Sequence, residues 1–193
     1  MKKAMIIFAA MLALCGGSTM AQRCLPGMSA VEFRADMVDG FYTGSSRNSG
    51  YAFGVNYSIF RGNANTWTFG GEYLQTYKPY GAEYRIPVAQ FTGEVGYNLH
   101  LVSDYSQTFH LYAGASALGG YETVNWGKSL LRDGSTIQAE DAFIYGGALS
   151  LSADFYLSDR FALNAHVKER FVFGNDTGHF RFSYGIGLKF IID

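Results

Sequence analysis

One property limits this chain more than any other. Its hydrophobic residues return at every second position, segment after segment, and beyond the amino-terminal stretch no apolar run nears the ~18 residues of a membrane helix. The closing segment, HFRFSYGIGLKFIID, sets Phe180, Phe182, Tyr184, Ile186, Leu188, Phe190 and Ile192 on one side of an extended backbone and Arg181, Ser183, Gly185, Gly187 and Lys189 on the other. Such a segment is a strand between an apolar and a polar medium. In a soluble sandwich the apolar side meets a second sheet. In a barrel that crosses an outer membrane it meets lipid, and the small and charged residues turn into the lumen.

The pattern recurs upstream. Val31, Phe33, Ala35 and Met37 oppose Glu32, Arg34 and Asp36; Tyr51, Phe53, Val55, Tyr57 and Ile59 oppose Ala52, Gly54, Asn56 and Ser58. Trp67, Phe69 and Tyr73 then stand against Thr68, Gly70 and Glu72, and Phe91, Val95, Tyr97 and Leu99 against Gln90, Thr92, Glu94 and Asn98. Phe109 to Ala117, Phe143 to Phe155 and Phe161 to Val167 continue in kind, which with the closing segment makes about eight strands. Their connections alternate in length. RGNAN from Arg61, HLVSDYSQ from His100 and LSDR from Leu157 read as turns on one side; GSSRNS from Gly44, KPYGAEY from Lys78, the long stretch from Thr123 and NDTG from Asn175 read as loops on the other. With both termini periplasmic, the second set faces outward, where barrels carry their longer loops. Pro26 precedes the first strand, Pro79 falls in a loop and Pro87 near a strand's start, where a missing N–H does least harm.

The first residues, MKKAMIIFAAMLALCGGSTMAQ, place two lysines before an apolar run and small residues after it, the pattern of a cleavable secretory signal over residues 1–21. Leu14 stands where a lipobox has a small residue, which argues against lipidation of Cys15. Residues 22–28 would then be a periplasmic segment and 29–193 the barrel. Of the 2 cysteines only Cys24 survives processing, so no internal disulfide is available. Aromatic residues at 17%, 24 glycines and 3 prolines suit a chain of strands, and a net charge of −1 argues against a nucleic-acid binder.

The face opposite the apolar one carries Glu32, Arg34, Asp36, Glu72, Glu94, Asp154, His166, Lys168, Arg170, Arg181 and Lys189. Closure of eight strands leaves an interior that side chains fill, so charges of both signs placed there must pair to offset desolvation. The fold read from these features is an all-β, antiparallel, up-and-down transmembrane barrel of outer-membrane type. Ser183, Gly185, Leu188 and Phe190 follow the polar, glycine, apolar, aromatic spacing of a barrel-assembly signal, although Ile191, Ile192 and Asp193 extend beyond the aromatic residue. Glu169 is a misfit whose parity puts it on the lipid face. Nine residues into a rising strand, it is expected to stand above the hydrocarbon.

Catalytic chemistry is sparse, and no catalytic, cofactor or metal set is expected. His166 and His110 lack a serine two residues on; His179, beside Asp176 and Thr177, is the best candidate base, more simply a polar rim residue. Cys24 lacks zinc-ligand spacing around it. The loop after Thr123 interleaves Trp126, Leu130 and Leu131 with Lys128, Arg132 and Asp133, which forms either a partner-contact surface or a plug folded back on the barrel.

The segments AQRCLPGM, FGGEYLQ, RIPVAQFT, ASALGGYET with NWG, DAFIYGGA and GLKFII, in that order, resemble the TraO family of conjugative-transposon transfer proteins of Bacteroidetes type. The resemblance implies a part in a conjugation apparatus at the outer membrane, with the lipid bilayer, other transfer proteins and, during biogenesis, the barrel-assembly machinery as partners. A lumen filled by side chains makes a structural or docking component the expected role and excludes a DNA conduit. The alternatives are an independent barrel serving adhesion or envelope stability, and a lipid-modifying enzyme acting through His179.

Overall fold

The computed structural model describes residues 24–40, 49–80, 84–127, 141–174 and 178–192. The segment read as a secretory signal lies outside them, as does Asp193. Eight strands form one closed antiparallel barrel, each paired with its sequence neighbour: β1 (Ser29–Val38), β2 (Gly50–Phe60), β3 (Thr66–Tyr80), β4 (Tyr84–Ser103), β5 (Phe109–Val124), β6 (Ala142–Tyr156), β7 (Phe161–Phe173) and β8 (Phe180–Ile192). β8 returns to β1, from Ser29 opposite Ile192 to Val38 opposite Ser183, so the closed wall has no free edge. In lipid every backbone N–H and C=O needs a partner within the chain, and a closed ladder supplies it.

The two faces separate as the period-two pattern requires. Phe33, Phe53, Val55, Phe69, Val95, Leu149, Leu151 and Ile186 are exposed on the outer wall, while Glu32, Asp36, Glu72, Asp154, His166, Lys168, Arg170, Arg181 and Lys189 are buried within. Aromatic pairs gather at two levels. Trp67 with Tyr97, Phe109 with Phe155 and Phe161 with Phe190 lie near the end that carries the termini. Tyr73 with Phe91, Tyr145 with Phe173 and Phe171 with Phe180 lie near the other. Two aromatic belts around a band of Val, Leu, Ile and Ala are what a barrel shows where it meets the two interfaces of a bilayer. The barrel is a transmembrane one of outer-membrane type.

Two connections depart from the sequence reading. KPYGAEY was expected as a loop, yet β3 runs on to Tyr80 and β4 starts at Tyr84, with Lys78 opposite Ile86 and Pro79 opposite Arg85. Pro79 is therefore a strand residue and not a loop one. Pairing of β3 with β2 ends at Gln75, and pairing of β4 with β5 begins at Val88, so the intervening residues form a two-stranded ribbon above the closed wall. Each ribbon strand has a partner on one side only, and a proline there removes no required bond. Similarly, β4 was expected to end before His100 but continues to Ser103, with a register shift between His100 and Val102 that leaves Leu101 outside the ladder. The turn that follows is held by the Asp104 carboxylate, which accepts the N–H groups of Thr108 at 2.7 Å and Phe109 at 2.8 Å.

Val95 sits midway up β4 on the outer wall, opposite Phe69 and Ala117. Val95→Arg is expected to cost about 2–4 kcal/mol of folding free energy in a bilayer, the penalty for a cation at mid-depth on a lipid-facing wall. Urea titration of folding into lipid vesicles measures it, and a neutral outcome would mean that water covers this face.

Candidate functional site

The lumen holds the densest chemistry of the molecule. It is built on residues that strand parity turns inward from opposite walls. Glu72 on β3 is at its centre: Arg34 donates to it at 2.7 Å, Lys168 at 3.2 Å, and Arg170 closes on its second oxygen. Lys168 also reaches Glu94 at 2.7 Å, and Ser116 donates its hydroxyl to the same carboxylate at 2.6 Å. A second cluster lies nearer the termini, where Asp154 accepts Lys189 at 2.6 Å and the Asn164 amide at 2.6 Å. Asn164 in turn meets His166 Nδ1 at 2.8 Å, and the other ring nitrogen stands 2.9 Å from Asp36. Arg181 pairs with Asp39 at 3.0 Å near the opposite mouth. Glu32 stands opposite Lys189 across the closing seam.

Small residues make room for these heads. A Cβ on Gly187 would lie 2.7 Å from the Glu32 carboxylate, and one on Gly185 would collide with the Asp36 carboxylate and the Ala35 carbonyl oxygen. A void of about 50 Å³ remains between the two clusters, from Glu94 and Lys168 to Glu32 and Lys189, room for no more than a few waters. Charges held in so dry a space stabilise one another only as a set, because each was desolvated to get there.

At the end carrying the termini, residues just before β1 fold into the mouth. Cys24 is buried against Phe60, Tyr156, Ala162 and Ile191, and its Sγ lies 3.1 Å from the Tyr156 hydroxyl. Gly27 N–H donates to the Phe60 carbonyl at 3.0 Å and Phe60 N–H to that of Met28 at 2.9 Å, which pins the segment. Burial pushes the Cys24 thiol up despite the Tyr156 hydrogen bond. Single-sequence reading missed this plug, because a cysteine before the first strand has no periodic signal.

It also missed polar groups on two rims. His100 and His110 approach to 3.2 Å; the proton that His110 Nε2 donates to the Gln107 carbonyl, also at 3.2 Å, leaves Nδ1 to accept from His100. Gln75, outward by parity, is enclosed by three tyrosines: the Tyr51 and Tyr73 hydroxyls donate to its oxygen at 2.8 and 2.6 Å, and its amide donates to Tyr77 at 2.9 Å.

The other sequence candidates fall as follows. His179 donates Nδ1–H to the Val172 carbonyl at 3.0 Å, which ties it to backbone; Asp176 and Thr177 lie outside the described residues. Trp126 is exposed in a short turn of positive-φ residues, and Lys128, Leu130, Leu131, Arg132 and Asp133 lie outside the described residues. Ser183 and Gly185 face the lumen from β8, while Leu188 and Phe190 face outward.

The profile of conjugative transposon protein TraO matches residues 25–192, nearly the whole chain. This chain belongs to the TraO family. No curated protein matches it. Among solved structures it is similar to outer membrane protein OprG from Pseudomonas aeruginosa, at 13% identity over 90% of this chain and 99% of that one, with a TM-score of 0.58. Neisserial surface protein A matches at 13% identity over 84% and 96%, with a TM-score of 0.53. Ail, the attachment invasion locus protein of Yersinia pestis, matches at 15% identity over 87% and 100%, with a TM-score of 0.51. At these identities the likeness is one of fold.

Two outcomes are expected in the TraO-family chain. Glu72→Ala leaves three cations facing an empty position and is expected to cost about 3–5 kcal/mol, read as a lower urea midpoint for the heat-modifiable band. Cys24 in the folded barrel is expected to resist a maleimide that labels it fully after denaturation; equal labelling in both states would mean that the mouth is open.

Proposed function

We propose that this protein is an outer-membrane docking component of a conjugative transfer apparatus and not the passage for DNA. In this reading the chain is exported by a cleavable signal over residues 1–21 and inserted by the barrel-assembly machinery through its last strand. It then presents surfaces to other transfer proteins. The observation that carries the reading is the Glu72 cluster, with Arg34, Lys168 and Arg170 converging on one carboxylate across the middle of the lumen.

A conduit would need a wide, hydrated bore lined by groups that solvent can reach. Eight strands enclose an interior that side chains fill, and here they fill it with paired charges. The family's connection with conjugative transposons supports a place in transfer, and a lumen filled by paired charges supports contact surfaces as that place.

Deleting the gene from a donor is expected to lower transfer frequency by orders of magnitude and a plasmid-borne copy to restore it; unchanged transfer would remove the protein from the process. In planar bilayers the purified barrel is expected to pass no sustained current, whereas a stable large conductance would reinstate the conduit.

A further inference from the structure

The outer wall carries a feature that the closed lumen does not explain. A groove of about 740 Å³ runs from Leu111 of β5 across β6, β7, β8 and β1 to Tyr51 and Phe53 of β2. Ala35, Ala153 and Ala165 are its small outward residues, with the backbone of lumen-facing Gly185 between them and Leu151 and Tyr184 as larger neighbours. It follows the hydrogen-bonded row that runs from Asp36 through Gly185 and His166 to Ser152, so it crosses the wall obliquely. Lipid tails alone could fill such a hollow. A charge at its edge calls for something else.

Glu169 projects outward from β7, two residues above the groove residue Val167, between Leu149 on one neighbour and Phe182 on the other. Among the described residues it is the one charged side chain on the outward face of the closed wall; Arg85 stands in the ribbon above. Its carboxylate makes no ion pair and no hydrogen bond among the described residues. It was expected to rise above the hydrocarbon, but Phe171 and Phe173 of its own strand and Phe180 of the next stand above it. Eight residues beyond Phe161, at a rise of ~3.3 Å and a tilt of ~40°, it reaches about 20 Å up an apolar band of ~25 Å. The same wall shows how it treats a polar group completed within the chain: Gln75 exchanges hydrogen bonds with three tyrosine hydroxyls. Glu169 is left unsaturated.

We propose that this groove is a lateral docking site for a membrane-embedded segment of another transfer protein, which sets a lysine or arginine against Glu169. The inference rests on the docking reading above. A second copy of the chain does not fit, since the outward face of the described closed wall has no lysine or arginine to offer. Lipid is the poorer occupant at this height. Acyl chains offer a carboxylate neither a cation nor a hydrogen-bond donor. A cation within a partner segment removes the cost of a lone carboxylate in hydrocarbon, and the small residues let the two backbones approach closely.

The test uses the full chain in donor cells, with a photo-crosslinking residue at position 165 and, across the barrel, at position 95. Irradiation during mating is expected to give a discrete protein adduct from 165 and none from 95. The adduct is expected to disappear with Glu169→Lys, to weaken with Glu169→Gln and to be absent when the other transfer genes are removed. The crosslinked peptide should contain a lysine or arginine. Equal adducts from both positions, an adduct indifferent to both substitutions, a mass corresponding to lipid or to two barrels, or persistence without the other transfer genes would each overturn the site. Heat modifiability confirms that each variant is folded, and Glu169→Gln decides the matter if Glu169→Lys does not assemble. If gene deletion lowers transfer while position 165 yields no adduct, the docking reading stands and the lateral site fails. A charge-dependent adduct with unchanged transfer has the opposite meaning.

Discussion

Closure of the ladder between β1 and β8 is the constraint on which everything else depends. A bilayer offers no hydrogen bonds to a strand edge, so the last strand must find the first, and it does so through ten consecutive pairs from Ser29 with Ile192 to Val38 with Ser183. Once the cylinder is shut, alternation is no longer a preference but a sorting rule. Every odd residue of β1 meets lipid and every even one enters a space too narrow for bulk water. Charged heads in that space must meet one another, and Glu32, Arg34 and Asp36 find glycines at Gly187 and Gly185 of β8 and Gly54 of β2 where larger residues would block them. The seam that closes the barrel is thus also where the lumen makes room.

Period two made the wall legible from sequence. The outward sets of β2 and β8 are legible residue for residue and that of β7 as far as Val167, short of Phe171 and Phe173, because a residue's parity fixes which side of the sheet it faces. Strand ends were less legible: Lys78 and Pro79 have loop composition, and only the partner strand reveals that the ladder continues there. Parity told which charges share the lumen. It could not tell that Glu72 takes three cations while Asp154 takes a lysine and an amide, since that depends on how far each side chain reaches across the bore. The Cys24 plug left no trace in the pattern, for it is held by hydrogen bonds and shape and not by alternation.

The Glu72 cluster also bears on how rigid the barrel is. Each of Arg34, Lys168 and Arg170 is nearly stripped of water, so drawing Arg34 or Arg170 away from Glu72 strands a buried charge, and Lys168 keeps a partner only because Glu94 also accepts it. Motion of one wall against the other would separate all of them together. The hydrogen-bonded ladder resists the same motion from outside, since a closed sheet has no hinge strand. Rigidity of this kind suits a platform, because a partner that binds a preformed surface avoids the ordering cost of a mobile one.

A rigid, sealed cylinder can communicate with other molecules only at its two mouths and along its wall. The mouth at the termini presents short turns, including the one held by Asp104, and the plugged Cys24 segment. The opposite mouth presents the β3–β4 ribbon. The wall would be uniform if lipid were its sole neighbour, because any unpaired charge facing hydrocarbon raises the free energy of the folded state. Glu169 breaks that uniformity beside a hollow lined by alanines, whereas the amide of Gln75, equally outward, is hydrogen-bonded by its own tyrosines. Two polar residues on one surface with opposite treatment mark different duties, one finished within the chain and one completed by a neighbour.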